Sequence, residues 1–366
     1  MSKMQTIGWD IGGAHLKAVL LNAKGEVIDC LQLSCPLWKG LDYLQRAILH
    51  ALQAFKIEPC DVNRISACHA ITMTGELVDL FENRHQGVCE IAKTASDLLG
   101  DNVWFYAANE GFVSQHAVHR FTSFIASSNW HASASALGMH VPQALLVDIG
   151  STTTDIIAIV DGKVAMNILS DAARLQNDTL VYTGVVRTPI MALAQKLVFE
   201  GVETNITAEF FASMADVYRL TGELTTDDAD TADGKGKTQQ ESARRLARMI
   251  GHDVDKSPEN KEMVTWIKLA FACRSIQMQQ IKTAMLKHLK PNMTIIGAGA
   301  GSFLVKQIAN DLNGDLKHPF VHACDLVSMR STGQSTIHPH LNTEHNIDVC
   351  FPAYAVALLA QKQCLC

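Results

Sequence analysis

The sequence predicts an α/β protein built from two halves that begin in the same way. Residues 6–20 and residues 145–157 each contain an apolar run, the triplet Asp-Ile-Gly, a small polar turn and a second apolar run. This pattern is typical of a strand, a tight turn and an antiparallel strand. A third apolar run follows in each half, after Lys24-Gly25 in the first and after Asp161-Gly162 in the second. The shared order of three strands indicates an internal duplication of structure.

Helical patterns follow the strands in both halves. Apolar residues in 41–55 recur at steps of three and four, which predicts an amphipathic helix. Thr188-Pro189 predicts a helix start with Thr as the N-cap, and residues 257–289 predict a long helix. Residues 351–359 are small and apolar and predict a tightly packed helix. Residues 222–240 are rich in Thr, Asp, Gly and Lys, so we expect a mobile surface loop there, with a lid as one role.

Composition limits the class of protein. The chain has 366 residues, 48% hydrophobic and 19% charged, which suits two globular domains. The net charge of -6 argues against general nucleic-acid binding, which needs a basic face. No apolar run approaches the roughly 18 residues of a membrane span, and residues 1–5 leave no room for a signal peptide before the first strand. The 10 scattered cysteines then predict reduced thiols in a cytoplasmic protein.

The two Asp-Ile-Gly turns are the strongest candidates for a functional site. Asp10 and Asp148 each end a strand, and glycines bare the backbone just after them. Such turns suit phosphate oxygens, and the carboxylates suit a Mg²⁺ ion that bridges them. A lone Asp-Ile-Gly would be an ordinary strand end, whereas two matching copies favour function. The predicted phosphate-binding positions in the turns are Gly12, Gly13, Gly150, Ser151, Thr152 and Thr153.

Four charged residues near these turns are candidates with open alternatives. Lys17 lies seven residues after Asp10, where it could offer a point charge to a phosphate or be a solvated strand lysine. Asp155 has the same offset from Asp148 and could be a second metal carboxylate, a general base or a turn residue. Glu76 follows a strand and could accept a proton in catalysis, or favour a helix N-terminus. Arg187 could bind a diphosphate bidentately or be a surface arginine.

Two further motifs could contact a ligand. Gly297, Gly299 and Gly301 lie between an apolar strand pattern and a helical pattern, which resembles a nucleotide-binding turn. Asn129 and Trp130 could line an aromatic pocket, although a buried core Trp is as good an interpretation.

Taken together, the two hairpins and the late glycine turn resemble the sugar kinase, Hsp70 and actin superfamily. The resemblance implies two ribonuclease-H-like domains that face each other across a cleft. Its two phosphate loops correspond to residues 10–17 and 148–155, and its adenosine loop to residues 297–301. On this basis we expect an N-terminal domain at 1–141, a C-terminal domain at 142–345, and a C-terminal helix at 346–366 that packs back near the domain interface.

A closer resemblance is carried by three motifs. Residues 72–79, 128–134 and 182–189 are similar to the hydantoinase/oxoprolinase-like branch of that superfamily, and within it to proteins of tetrahydromethanopterin-linked one-carbon transfer. Archaeal members of that group make methanofuran: they join an aminomethylfuran-methyl diphosphate to γ-glutamyltyramine and release pyrophosphate. The resemblance therefore implies a transferase that uses Mg²⁺ and a small-molecule diphosphate.

Other functions fit the same fold. One alternative is an ATP-dependent kinase or an ATP-driven amidohydrolase that holds adenosine at the glycine turn of residues 297–301. Another is a non-catalytic regulator or assembly partner. No feature of the sequence predicts the acceptor or the oligomeric state.

Overall fold

Two mixed β-sheets organise the protein. The structure is a computed structural model that describes residues 5–57, 67–166, 170–224, 229–255, 260–312, 318–326 and 348–363. The first sheet has the strand order β3-β2-β1-β4-β5-β6, and the second has the order β10-β8-β7-β13-β14, with β9 beside β8. The strands are β1 (Gln5–Ile11), β2 (His15–Leu21), β3 (Val27–Ser34), β4 (Ala67–Met73), β5 (Val103–Tyr106), β6 (Phe112–Ser114), β7 (Gln143–Ile149), β8 (Thr154–Val160), β9 (Lys163–Val164), β10 (Leu180–Val181), β11 (Lys196–Phe199), β12 (Val202–Asn205), β13 (Thr294–Ala298) and β14 (Phe320–His322).

The helices pack on these sheets, and β11 and β12 form a small separate ribbon. Their bounds are α1 (Leu41–Ala54), α2 (Arg84–Leu99), α3 (Val118–Ile125), α4 (Asn129–Gly138), α5 (Asp171–Gln176), α6 (Ile190–Leu193), α7 (Met214–Thr221), α8 (Gln239–Arg248), α9 (Asn260–His288), α10 (Ser302–Leu312), α11 (Ala323–Leu326) and α12 (Phe351–Lys362).

The strand pairing confirms the internal duplication. In the first sheet, β1 pairs antiparallel with β2 and parallel with β4. In the second sheet, β7 pairs antiparallel with β8 and parallel with β13. Asp10 and Asp148 therefore occupy equivalent positions. Each lies at the carboxyl end of the strand that pairs with both an antiparallel and a parallel neighbour.

Three hydrophobic clusters fill the described part of the molecule. One lies under the first sheet and one under the second. The third joins the halves, because α4 and α12 pack between strands of both sheets. A Cβ at Gly8 in β1 would lie 1.8 Å from the carbonyl oxygen of Ala353 in α12, so only glycine permits this contact. The tight packing predicted for residues 351–359 is thus confirmed.

One local prediction is wrong. Thr188 is not a helix N-cap: Pro189 takes that position before the short α6, and the Thr188 hydroxyl instead bonds Gly184. In the predicted loop at 222–240, the described residues 222–224 and 229–238 lie outside helices and strands, and α8 begins at Gln239. Arg245 of α8 donates to Asp233 and to the Gly236 carbonyl. These bonds hold the described part of that segment against α8. The lid role therefore has no support from the described residues.

The cysteines depart from the prediction at one position. Six of those in the described part of the chain are free, but Cys68 is disulfide-bonded. No helix in the described ranges is long and apolar enough to cross a membrane.

Candidate functional site

The first hairpin holds a buried ion pair. Asp10 ends β1 and is 1% exposed, and Lys17 stands opposite it in the register of β1 and β2. Lys17 Nζ donates to Asp10 Oδ2 at 3.0 Å. Burial opposes the charged form of Lys17, but the neighbouring Asp10 carboxylate outweighs it, so the pKa of Lys17 is raised. The second oxygen, Asp10 Oδ1, is buried and has no hydrogen-bond partner in the described structure.

The second hairpin places a carboxylate where the first has an amine. Asp155 stands opposite Asp148 in the register of β7 and β8, at the position equivalent to Lys17. Burial, and then the Asp155 carboxylate, raises the pKa of Asp148 to about 7; Lys17 opposes this, and Asp10 adds to it. The two hairpins therefore lie within electrostatic reach of each other. Asp348 also raises this pKa, so four carboxylates and one lysine share the region, and a cation there would relieve the repulsion.

Glycines let other chain segments support the second turn. A Cβ at Gly299 would lie 2.3 Å from Asp148 Oδ1, and Gly299 has a φ of 76°, which favours glycine. Gly301 N–H donates to the Ile149 carbonyl at 2.8 Å. On the other side, a Cβ at Gly184 would lie 2.5 Å from the backbone nitrogen of Thr152. The turn at residues 150–153 is therefore in close contact with two segments that contain glycine.

A buried hydrogen-bond chain fixes one of these supports. Gln277 in α9 is 0% exposed and donates to the Thr183 hydroxyl at 2.8 Å and to the Gly184 carbonyl at 2.9 Å. Its own carbonyl accepts from the Tyr218 hydroxyl. The N–H groups of Val185 and Arg187 then donate to the carbonyls of Gly150 and Ser151. The turn thus rests on a satisfied network, which is how buried polar groups rigidify a site.

Glu76 lies buried in the loop after β4. It is 1% exposed, and Ser127 Oγ donates to its Oε1 at 2.7 Å. Burial raises the pKa of Glu76 to about 7, and the Ser127 bond opposes this. Its other oxygen, Oε2, has no hydrogen-bond partner among the described residues. A carboxyl group with a pKa near neutrality is suited to accept a proton.

Trp130 and Arg174 meet between the halves. The Arg174 guanidinium lies over the Trp130 ring, 4.1 Å from its centroid, and Arg174 Nη2 donates to Asp155 Oδ1 at 2.5 Å. Trp130 is 2% exposed and Arg174 is 1% exposed. Burial raises the pKa of Asp155, while Arg174 opposes the shift. No sequence pattern marks Arg174 or Ser127 as functional, since both contact partners that are distant in sequence and neither belongs to a motif.

The predicted metal site needs correction. Within the described ranges, no group of three or more His, Cys, Asp or Glu side chains is placed to hold a metal ion. The predicted set of Asp10, Asp148 and Asp155 is therefore not formed as a protein cage, because Asp155 is turned to Arg174. Asp10 and Asp148 still fit Mg²⁺, which usually binds one or two carboxylates together with substrate phosphates. The partnerless Asp10 Oδ1 is the observation that favours this.

The remaining predicted positions differ in accessibility. Arg187 is exposed, while its backbone supports the second turn. Asn129 is half-buried and accepts a bond from the Trp130 backbone. A Cβ at Gly297 would meet the Phe320 ring at 2.9 Å, and one at Gly301 would meet the Ile149 side chain at 2.5 Å. Packing against the protein thus accounts for glycine at 297, 299 and 301. A nucleotide contact at these glycines stays a prediction.

The two sheets and their matching hairpins form a mixed α/β fold of two equivalent halves. A model of the hydantoinase/oxoprolinase family matches residues 67–331, and the chain belongs to that family. A nucleotide-free structure of acetone carboxylase has a TM-score of 0.51 at 9% identity. The match covers 83% of this chain and 66% of that structure. A ROK family glucokinase from Streptomyces griseus, in complex with glucose and AMPPNP, has a TM-score of 0.47 at 12% identity. The match covers 98% of this chain and 99% of that structure.

Two curated relatives share one name. The chain is 28% identical over 364 residues, 99% of both proteins, to "(4-{4-[2-(gamma-L-glutamylamino)ethyl]phenoxymethyl}furan-2-yl)methanamine synthase" of Methanocaldococcus jannaschii. It is 34% identical over 157 residues to the protein of the same name from Methanococcus vannielii, which is 42% of this chain and 70% of that protein. Both relatives are named as enzymes, and this chain is an enzyme as well.

Proposed function

We propose that this enzyme transfers a furanylmethyl group from its diphosphate to a phenolic oxygen and releases pyrophosphate, in the biosynthesis of a methanofuran-type one-carbon cofactor. The full-length relative is named for a product in which a phenoxymethyl ether joins a γ-glutamylaminoethyl-phenol to an aminomethylfuran. Forming that ether from a phenol and a furanylmethyl diphosphate breaks the bond between carbon and the diphosphate oxygen. It forms the bond between carbon and the phenol oxygen.

The facing hairpins carry the proposal. Lys17, the partnerless Asp10 Oδ1 and Asp148 surround one region. A diphosphate is a suitable ligand there, because its charge would be met by Lys17 and by N–H groups of the two glycine turns. Asp10 and Asp148 would hold a Mg²⁺ ion, which supplies neutralisation of charge on the leaving diphosphate. The hydroxyls of Ser151, Thr152 and Thr153 complete the phosphate contacts in this proposal.

The chain's own residues account for the proton balance. The phenol loses its proton as the ether forms, and Glu76, whose pKa burial raises to about 7, would take it. An electron-rich furan stabilises positive charge on its methylene carbon as the diphosphate leaves. Strong activation of the nucleophile is therefore unnecessary, and a carboxylate base suffices.

A reconstituted reaction tests the proposal. Purified enzyme is incubated with aminomethylfuran-methyl diphosphate, γ-glutamyltyramine and Mg²⁺, and the ether and pyrophosphate are measured by mass spectrometry and a coupled phosphate assay. We expect both products in equal amounts without any nucleotide. Absence of the ether, together with hydrolysis of ATP by the same preparation, would instead favour an ATP-dependent kinase or amidohydrolase.

A further inference from the structure

Ser127 has a strained backbone in the short connection between α3 and α4. Its φ is 51°, in the left-handed region that residues other than glycine seldom adopt. Backbone strain of this kind persists only where the surrounding structure holds it, and it concentrates at functional sites. The contact that the Ser127 side chain makes therefore indicates what this conformation is for.

The Ser127 side chain bonds the buried carboxyl group of Glu76. Ser127 Oγ donates to Glu76 Oε1 at 2.7 Å, and the two residues are 6% and 1% exposed. The next residue fixes the turn, because Ser128 Oγ donates to the Tyr106 carbonyl at 3.2 Å and lies 3.3 Å from Thr72 Oγ1. Tyr106 ends β5 and Thr72 lies in β4, so the Ser127 hydroxyl belongs to a turn that is anchored to the first sheet.

The loop that carries Glu76 is packed between the turn of the first hairpin and α2. A Cβ at Gly13 in that turn would lie 2.7 Å from Val78 Cγ1, so the turn and the loop are in contact. On the other side, a Cβ at Gly87 in α2 would lie 2.7 Å from the Glu76 carbonyl oxygen. This packing fixes the Glu76 backbone. The orientation of its carboxyl group then depends on the bond from Ser127.

The bonds of Glu76 differ from those of a structural buried carboxylate, which is ordinarily paired with a cation. Arg84 of α2 and Asp171 of α5 are charged groups that act on Glu76, but the Arg84 guanidinium donates to Asp171 at 2.7 Å. Glu76 Oε1 instead accepts from the neutral Ser127 hydroxyl, and Oε2 has no hydrogen-bond partner in the described part of the chain. One carboxyl oxygen is thus held, and the other is open to a proton donor.

We propose that Ser127 is the positioning residue of the base: its hydroxyl fixes Glu76 Oε1, so that Oε2 accepts the proton of the phenolic acceptor. This inference rests on the proposed function and adds a residue that does not itself touch the substrate. As the ether forms, the phenol O–H bond breaks and its proton passes to Glu76 Oε2, while Ser127 keeps its own proton. The bond to Oε1 stabilises the carboxylate before the transfer, so Ser127 also sets the pH at which Glu76 becomes a base.

Two variants remove the hydroxyl in different backbone settings. Ser127→Ala keeps the strained φ, whereas Ser127→Gly relieves it, so an effect that both share comes from the hydroxyl and not from the turn. Ser133→Ala is the matched control, because Ser133 is a buried serine whose Oγ donates to the Asn129 carbonyl within α4 at 3.2 Å.

The protonation of Glu76 is measured without substrate. The carbonyl stretch of its protonated carboxyl group is followed against pH by difference infrared spectroscopy, and the band that Glu76→Gln lacks is assigned to Glu76. Because the hydrogen bond favours the carboxylate, its loss should raise the pKa of Glu76 by about one unit in Ser127→Ala and Ser127→Gly. Ser133→Ala should titrate like wild type.

Turnover should report the same shift. The pKa of Glu76 is about 7 in wild type. With a pKa about one unit higher, the ionised fraction in both variants falls about fivefold at pH 7 and hardly at all at pH 9. We therefore expect kcat for ether formation to fall about fivefold at pH 7 and to be nearly normal at pH 9. KM for the acceptor should stay the same, since Ser127 does not touch it.

The outcomes separate the two proposals. A raised titration of Glu76 in both variants, in an enzyme that forms no ether at any pH, would end the transferase proposal and leave the support of Glu76 by Ser127 standing. Ether formation with the same pH profile in wild type and both variants would overturn the inference. Normal kcat in Glu76→Gln would also overturn it, since Ser127 would then position no base.

Discussion

The two hairpins have the same backbone arrangement but carry different charged side chains. Both carry an Asp at the end of the central strand, and both turn back on a glycine. Across the strand pair, Asp10 faces Lys17, whereas Asp148 faces Asp155. The first hairpin is therefore neutralised within itself. The second has a pair of carboxylates, of which Asp155 is neutralised from outside by Arg174. The duplicated fold thus gives one site with a built-in cation and one that needs a cation from a ligand.

The largest expected effect comes from removing either aspartate charge. Asp10→Asn and Asp148→Asn should each lower kcat by about a thousandfold, because each removes a carboxylate proposed to hold Mg²⁺. Steady-state assays of pyrophosphate release at saturating Mg²⁺ measure this. Val160→Ala, at the far end of β8, is the control and should keep near-normal turnover. Equal activity of wild type and Asp148→Asn would contradict the proposed role of the second hairpin in holding Mg²⁺.

Removing Lys17 should affect stability far more than removing Asp155. Lys17→Met leaves Asp10 buried without its ion pair, which we expect to lower the free energy of unfolding by about 3 kcal/mol. Asp155→Asn keeps an oxygen that can accept from Arg174, and Arg174 Nη2 also donates to the Thr179 carbonyl, so this variant should cost less. Urea unfolding of the two variants, monitored by circular dichroism, compares them. If Asp155→Asn proves the more damaging, the first hairpin is not the self-neutralised one.

The support under Asp148 can be tested by a single methyl group. In Gly299→Ala the Cβ would meet Asp148 Oδ1 at 2.3 Å, so the carboxylate must move, and we expect about a tenfold loss of kcat. Gly201→Ala is a matched control: its φ of 84° is equally unfavourable for alanine, but no atom lies within 4 Å of the new Cβ. Both variants carry the backbone strain, and only Gly299→Ala should lose activity.

The smallest expected effect is a pH dependence of stability. The folded protein keeps the Asp148 proton up to about pH 7, whereas an Asp carboxyl in the unfolded chain ordinarily loses its proton near pH 3.8. Ionisation therefore costs stability progressively between these values, and the cost is complete above them. Asp148→Asn should raise the melting temperature of the metal-free protein by roughly 2–4 °C at pH 8 and hardly at all at pH 4. A variant less stable than wild type at pH 8 would contradict the raised pKa.

Much of this arrangement was predictable from short patterns. Asp10 and Asp148 are local features of a strand and a turn, so the sequence located both hairpins and their equivalence. The role of Gly299 was less visible, because its glycine is required by a contact with Asp148, which is distant in sequence. Arg174 and Ser127 gave no signal. Arg174 contacts Asp155 in its own half and Trp130 in the other half, and Ser127 bonds Glu76, which lies 51 residues earlier in the same half. These contacts form only when the chain folds.

The metal set was predicted from one strand pair alone, and the described residues do not form it as a group of three. Asp155 was assigned to a metal by its offset from Asp148, which is a property of one strand pair. Its actual partner comes from α5. Likewise, the polar composition of 222–240 hid the bonds from Arg245 that hold its second part.

Calorimetric titration of wild type with pyrophosphate and with ATP, each with and without Mg²⁺, tests the central claim most directly. If the two hairpins together hold a diphosphate and a metal ion, pyrophosphate should bind once per chain, only with Mg²⁺, and with much lower affinity in Asp148→Asn. ATP should then bind no more tightly than pyrophosphate. Tight binding that requires the adenosine group, with no measurable binding of pyrophosphate, would contradict the claim.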